Sequence, residues 1–421
     1  MTQPAAHPPR PAAAAPGPVL SVVIPALDEE AAIGQTLERL LDVEGELRAI
    51  GVSALEIWVV DDGSRDRTAE IAEGFAGVRV VRHGANRGYG AAIKTGLARA
   101  RGELVAFLDA DGTYPPESFP RLAAAALDGG DLVIGSRMSG AASRMPRVRR
   151  VGNLLFARLV GLLAGTRVAD SASGMRVIRR SALDRLYPLP HGLNFTPVMS
   201  LRALHEGLEV AEVPIPYEER IGPSKLSVVR DGFRFLWSLV WTALAYNPVR
   251  VLGAVGLAGV AVAAVVGAGL VAARLAGVTA LAPWAVAAVF LALVCGVAGI
   301  SLLTLGVSFN YLVALFRHEP VKKGLFSKPL FDPPLDRQFL WIGAVCGGAG
   351  VAVAAVALGL GLRGWPIERL WLYLVGAALL ILVGLQLAIS WVVLRVLEEL
   401  ADREARARRD SLGGAVAFDG E

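Results

Sequence analysis

Short apolar runs alternate with amphipathic stretches through the first 140 residues of the chain. Residues 20–26 (LSVVIPA), 55–60 (LEIWVV), 78–82, 103–108 (ELVAFL) and 131–134 have the length and apolar content of buried strands. Between them, residues 29–50, 66–75, 88–101 and 117–127 read as helices. The first places Ile33, Leu37, Leu40, Leu41 and Leu47 on one face. Repeated β-α-β order with short apolar strands predicts a mostly parallel, doubly wound sheet. Ligands of such sheets bind beyond the carboxyl ends of the strands. Two acidic motifs fall there, after the second and fourth strands.

Beyond Pro248 the pattern changes. Residues 251–273, 282–316, 339–362 and 370–394 are apolar runs, and the second holds 35 residues without a formal charge. A helix needs about 20 apolar residues to span a bilayer, so four transmembrane helices are expected. The competing reading is a set of buried helices in a large soluble core. Residues 233–246 (FRFLWSLVWTALAY) are aromatic-rich and predict a helix lying along the membrane surface. The expected layout is a Pro/Ala-rich tail at 1–18, an α/β domain at 19–230 and an interfacial helix at 231–247. A helical membrane domain at 248–396 and a charged tail at 397–421 follow.

Basic residues give the orientation. Arg317, Lys322, Lys323, Lys328 and Arg337 lie in one connection, and Arg403, Arg406, Arg408 and Arg409 in the tail. The other two connections hold Arg274 and the pair Arg363 and Arg369. The positive-inside rule then puts the α/β domain, the middle loop and the tail on the cytosolic side of the cytoplasmic membrane. The first 18 residues lack the apolar core of a signal peptide.

Composition sharpens this picture. Hydrophobic residues make up 54% of the chain, above the roughly 45–50% of soluble proteins. The net charge of +4 gives no reason to expect a nucleic-acid partner. Cys295 and Cys346 both sit in apolar runs without metal-ligand spacing and read as buried hydrophobes. Basic residues are 37 Arg and 5 Lys, and only Lys94 and Lys225 precede residue 250.

Asp109-Ala110-Asp111 is the leading candidate for chemistry. Two carboxylates just past a buried strand can converge on a hard divalent cation such as Mg2+ or Mn2+; the alternative is an acidic turn that starts the next helix. Asp61-Asp62-Gly63-Ser64 closes the second strand, where a carboxylate can hydrogen-bond a nucleoside or cap a helix. Asp28, Glu29 and Glu30 follow the first strand and can contact a nucleoside or favour a helix start. Arg220-Ile221-Gly222-Pro223-Ser224-Lys225 gathers a guanidinium, a hydroxyl and an ammonium about a turn, a set suited to phosphate. A general basic rim for anionic lipid is the other reading. Arg137, the Gly88/Gly90 loop and Arg176 in the 170–176 loop are further candidates for meeting an anion.

In this order and spacing, VVIPALDEE, VVDDGSRDRT, NRGYGAAIKTGL, FLDADGTYPPE, GSR, DSASGMRV and RIGPSKLS resemble glycosyltransferase family 2. More narrowly they resemble its dolichol-phosphate mannosyltransferase and bacterial polyprenyl-phosphate glycosyltransferase group. The resemblance covers about residues 19–235 and implies an α/β GT-A fold, Rossmann-like and mostly parallel. It implies that Pro25, Leu27, Glu29, Val59, Asp61 and Ala110 line the nucleotide pocket. Asp109 and Asp111 would hold the diphosphate and metal, with Arg137 facing the diphosphate or acceptor. Arg220, Ser224 and Lys225 would meet the acceptor phosphate.

The reaction implied is inverting transfer from a nucleotide-diphosphate sugar, of GDP-mannose or UDP-glucose type, to dolichyl or undecaprenyl phosphate. A phosphate monoester is mostly dianionic at pH 7 and needs no general base, whereas a sugar hydroxyl does. The family's polysaccharide synthases carry a base and a QxxRW motif. Here Arg337-Gln338-Phe339-Leu340-Trp341 has another order. A processive polysaccharide synthase and a non-catalytic nucleotide-sugar-binding partner are the alternatives. Leu27 stands where Tyr or Phe is common, and Asn194-Phe195-Thr196-Pro197 lacks an acid found in some mannosyltransferases, so mannose is not implied.

Overall fold

The structure, a computed structural model, describes residues 17–138, 145–166, 168–222, 228–278, 282–317 and 335–416. It divides into two compact units, one ending at Leu239 and the other starting at Val240.

The first unit is built on seven strands: β1 (Val19–Ala26), β2 (Ala54–Asp61), β3 (Val78–Arg82), β4 (Leu104–Phe107), β5 (Leu132–Ser136), β6 (Arg176–Arg179) and β7 (Val210–Pro214). Their order across the sheet is β3-β2-β1-β4-β6-β5-β7. The five expected strands form within one or two residues of their expected ends. Helix 29–50 is instead two helices, α1 (Ile33–Asp42) and α2 (Glu44–Ala49). Then come α3 (Thr68–Glu73), α4 (Tyr89–Arg99), α5 (Phe119–Leu127), α6 (Arg147–Ala164), α7 (Leu183–Leu186), α8 (Phe195–His205) and α9 (Val228–Tyr246), whose residues from Val240 on belong to the second unit.

Strand side chains alternate between faces, so each buried strand feeds two cores. Val22, Ile24, Ile57 and Val59 pack with Leu37 and Leu40 of α1 and Leu122 of α5. Val23, Val60 and Phe107 face the other way, against Ile93 and Leu97 of α4 and Met199 of α8.

One departure from the doubly wound plan builds the site. β6 pairs antiparallel with both β4 and β5, Arg176 lying opposite Phe107 and Ile134. The start of β6, rather than its end, therefore reaches the edge where β1, β2, β4 and β5 terminate. Parallel β7 pairs with β5 and sends residues 215–222 to the same edge. With the end of β3, which runs parallel to β2, seven connections thus converge on one rim.

The second unit is helical: α10 (Pro248–Leu275), α11 (Pro283–Arg317), α12 (Leu335–Leu362) and α13 (Ile367–Val416). Four stretches are long and apolar enough to cross a membrane: Pro248–Leu275, Pro283–Arg317, Asp336–Leu362 and Arg369–Leu400. α10 packs on α11 and α12 on α13. Glycine allows the close approach: a Cβ on Gly256 would stand 2.6 Å from the Gly299 carbonyl oxygen, and one on Gly384 2.6 Å from that of Gly343. α13 runs on to Val416, so the stretch expected as a charged tail from residue 397 continues the helix. Most of the Lys322–Lys323–Lys328 connection and residues 1–16 lie outside the described residues.

Candidate active site

A cavity of about 510 Å3 opens along the rim of the sheet in the first unit. The end of β1 supplies Pro25, Leu27 and Glu29, the end of β2 Asp62, and the end of β4 Asp109, Ala110 and Asp111. β5 supplies Arg137, the approach to β6 supplies Gly174, and the exit of β7 supplies Tyr217 and Arg220.

Asp109 is wedged. The Tyr89 hydroxyl donates to its Oδ1 at 2.7 Å, and Gly174 lies so close that a Cβ there would be 2.2 Å from Oδ2. Gly174 is itself pinned, its amide donating to the Tyr114 hydroxyl at 2.7 Å. Burial, then the neighbouring Asp111 charge, pushes the Asp109 pKa up to about 7. Asp111 accepts from the Thr113 amide at 3.1 Å and from its hydroxyl at 2.5 Å. Gly112, directly after the pair, has φ +74°, a left-handed conformation that glycine adopts without strain.

Arg137 is held by Asp170. Its Nε and Nη2 donate to the two carboxylate oxygens, each at 2.7 Å, and its amide donates to Oδ2 at 3.0 Å. The guanidinium lies over the rings of Tyr114 and Tyr217, 5.6 and 5.4 Å from their centroids. Burial alone would raise the Asp170 carboxyl, but the Arg137 charge and hydrogen bonds hold it below the usual range. The expected anion-binding arginine lines the cavity and is already partnered.

The other expected residues divide. Pro25, Leu27, Glu29 and Ala110 line the cavity as read from the sequence. Val59 and Asp61 do not. Val59 is fully buried in the sheet core, and Asp61 is 5% exposed with its Oδ1 accepting from the Ser64 amide at 3.2 Å. Asp62 takes the cavity position, and its oxygens accept the Arg87 and Gly88 amides at 2.9 and 2.8 Å. His83 closes the network, Nδ1 to Asp62 at 2.6 Å and Nε2 to the Thr95 hydroxyl at 3.0 Å.

Arg220 lies on the acidic half of the site: it donates to Asp111 and to Glu29. Ser224 and Lys225 lie outside the described residues. Three other features already meet protein groups. Arg176 is fully buried and donates to the Ser173 and Ser171 carbonyls at 3.1 and 2.7 Å, stapling its own loop. Lys94 donates to the Leu189 carbonyl at 2.7 Å. Gly88 and Gly90 permit close packing, since Cβ atoms there would meet the carbonyls of His191 and Pro190 at 2.6 and 2.4 Å. Tyr89 and Tyr114 lie inside the NRGYG and DADGTY motifs but were not singled out as site residues, and Tyr217 lies in none of the quoted motifs. Among the described residues, no group of three or more His, Cys, Asp or Glu side chains forms a closed metal cage.

Comparison with known proteins agrees with this architecture. Residues 21–187 match the glycosyl transferase family 2 domain, and residues 248–408 match a domain of unknown function (DUF8752). A dolichyl-phosphate hexose transferase of Haloferax volcanii is 36% identical over 228 residues, 53% of this chain and 94% of that one. An undecaprenyl-phosphate 4-deoxy-4-formamido-L-arabinose transferase of Pseudomonas paraeruginosa is 37% identical over 248 residues, 56% of this chain and 68% of that one. Among solved structures, Mycobacterium tuberculosis glucosyl-3-phosphoglycerate synthase with Mn2+, UDP and phosphoglyceric acid aligns at TM-score 0.45 and 23% identity. That alignment covers 54% of this chain and 79% of that one. The chain belongs to glycosyltransferase family 2. It is a glycosyltransferase with a GT-A domain followed by four helices of membrane-spanning length.

Proposed function

We propose that the enzyme transfers a sugar from a nucleotide-diphosphate donor to a polyprenyl phosphate, with inversion, at the cytosolic face of the cytoplasmic membrane. The observation that carries this reading is one cavity lined by Asp109, Asp111, Arg137 and Arg220. Its acids and arginines suit a substrate pair rich in phosphate.

Asp109 and Asp111 offer only oxygen donors, which fits Mg2+ or Mn2+. The guanidinium on Asp111 and Glu29 marks a place where the fold already holds positive charge. Water and donor phosphate oxygens would complete the shell. Asp109 and Asp111 would hold such a cation, which would supply neutralisation of charge on a departing diphosphate. Arg137, kept in place by Asp170, stabilises the same charge from the β5 side. Pro25, Leu27, Glu29 and Ala110 form the nucleotide wall. Ser224 and Lys225, with Arg220, are assigned to the acceptor phosphate on the RIGPSKLS motif.

Every carboxylate lining the cavity is engaged: Asp62 with His83 and two amides, Asp109 with Tyr89, Asp111 and Glu29 with Arg220. That favours an acceptor that arrives ionised over a hydroxyl that needs a base. In-line attack by the lipid phosphate on the sugar C1 then needs only alignment and charge stabilisation.

The test offers radiolabelled GDP-mannose and UDP-glucose with polyprenyl phosphate and a divalent cation. Label should move into the organic phase, and Asp111→Asn should stop it by about 10²-fold or more in a folded protein. Label accumulating in a polymer, or donor left intact, would overturn the proposal.

A further inference from the structure

Arg220 is placed by a clamp that lies outside the cavity. Residues 215–222 are laced along the acidic loop by backbone bonds. The Glu218 amide donates to the Thr113 carbonyl at 3.0 Å, and the Ile221 amide to the Asp111 carbonyl at 3.1 Å. Glu218, two residues before Arg220, is gripped by Arg39 of α1. Arg39 Nη1 and Nη2 donate to the two Glu218 oxygens at 3.1 and 3.0 Å. Its Nε and Nη2 donate to the two oxygens of Glu117 at 2.8 and 2.9 Å. One guanidinium thus binds two carboxylates in bidentate fashion, tying α1, the turn after the acidic loop and the strap from β7. Arg39 itself does not line the cavity.

The far end of that strap bears the guanidinium that neutralises Asp111 and Glu29. A divalent cation arriving at Asp111 meets a carboxylate that already has a positive partner. We propose that Arg220 is an internal counter-cation competing with the divalent cation for Asp111, and that Arg39 is a positioning residue that sets the strength of this competition through Glu218. Cation entry exchanges one positive partner of Asp111 for another. The displaced guanidinium remains tethered by the clamp at the cavity wall, where phosphate oxygens can take it up. This rests on the metal role of Asp109 and Asp111 given above, but not on the identity of the acceptor.

The test is equilibrium Mn2+ binding to the full-length, chelator-stripped protein in detergent, read from the electron paramagnetic resonance signal of free Mn2+. Arg220→Ala should tighten Mn2+ binding, because its competitor is gone. Arg39→Ala and Glu218→Gln should tighten it by about threefold to tenfold, the worth of one or two partly exposed ion pairs. Arg39→Ala added to Arg220→Ala should change nothing further, since Arg39 acts through Arg220. Glu218→Gln is the less disruptive variant where Arg39→Ala fails to fold. Unchanged Mn2+ affinity in Arg39→Ala and Glu218→Gln, additive effects in the double variant, or weaker binding in Arg220→Ala would each overturn the proposal. Absence of Mn2+ binding in every variant would remove it together with the metal role. Normal Mn2+ competition with no transfer to polyprenyl phosphate would leave it standing and overturn the acceptor instead.

Discussion

Gly174→Ala tests whether the Asp109 carboxylate must sit where the fold wedges it. The added Cβ would stand 2.2 Å from Oδ2, 2.5 Å from Cγ and 2.6 Å from Oδ1 of Asp109. Ordinary contact needs about 3.4 Å, so one side must retreat by about 1 Å. The glycine backbone lies outside the left-handed region, so only this contact resists alanine. The loop cannot easily give way. The Gly174 amide is tied to the Tyr114 hydroxyl, the Ser173 hydroxyl donates to the Gly135 carbonyl at 2.6 Å, and buried Arg176 staples the loop from beneath. The carboxylate therefore moves, and its bond from Tyr89 is strained or lost. Overpacking of this kind costs about 1–3 kcal/mol. A displacement of about 1 Å in a group that aligns the reaction costs about 10²-fold in rate. The assay pairs a thermal melt in detergent with the initial rate of donor consumption. Wild-type rate in a protein whose melting temperature has dropped would show that the Asp109 position is not critical, and the reasoning would fail.

Four further substitutions probe other features of the molecule. Asp170→Asn leaves the Arg137 guanidinium, 11% exposed, without its counter-charge, and should destabilise the domain by about 3 kcal/mol; a loss under about 1 kcal/mol in chemical denaturation would contradict this. For Asp109, the metal-free folded chain holds a proton up to about pH 7, whereas the unfolded chain releases it near pH 4. More protons are bound folded than unfolded in that window, so this group's contribution to stability is full below about pH 4 and lost as pH rises to 7. Asp109→Asn should therefore raise the melting temperature at pH 8 with chelator, and the gain should shrink as pH falls and vanish below about pH 4. A gain independent of pH would reject the assignment. In the helical unit, Gly256→Leu should lower the melting temperature by forcing α10 from α11, while Gly267→Leu, with nothing within 4 Å of its Cβ position, should be neutral. Equal effects would deny the close crossing.

The pattern of polar and apolar residues alone determined a good deal. Val22, Val23 and Ile24 alternate between two cores, so the run announces a strand buried on both faces. Runs longer than a bilayer is thick announce four spans, whatever their packing. These are local properties, set by period and length, and they survive any arrangement of the elements. The acidic pair at Asp109 and Asp111 was legible for a similar reason, because its place after a strand follows from the chain itself.

Other features depended on partners far away in sequence. β6 is four residues long and carries two arginines, so nothing local distinguished it from a loop. Its antiparallel course is decided by neighbours on both sides, and it alone brings Gly174 against Asp109. Asp62 lines the cavity where Asp61 was expected, because residues at a strand's end turn to one face or the other, which only the register with β1 and β3 decides. Arg220 and Arg39 pair with acids 109 and 179 positions away, respectively. Charge on a residue type was visible from the start. Which opposite charge each arginine meets was left to the tertiary structure, because an ion pair depends on distance in space and not along the chain.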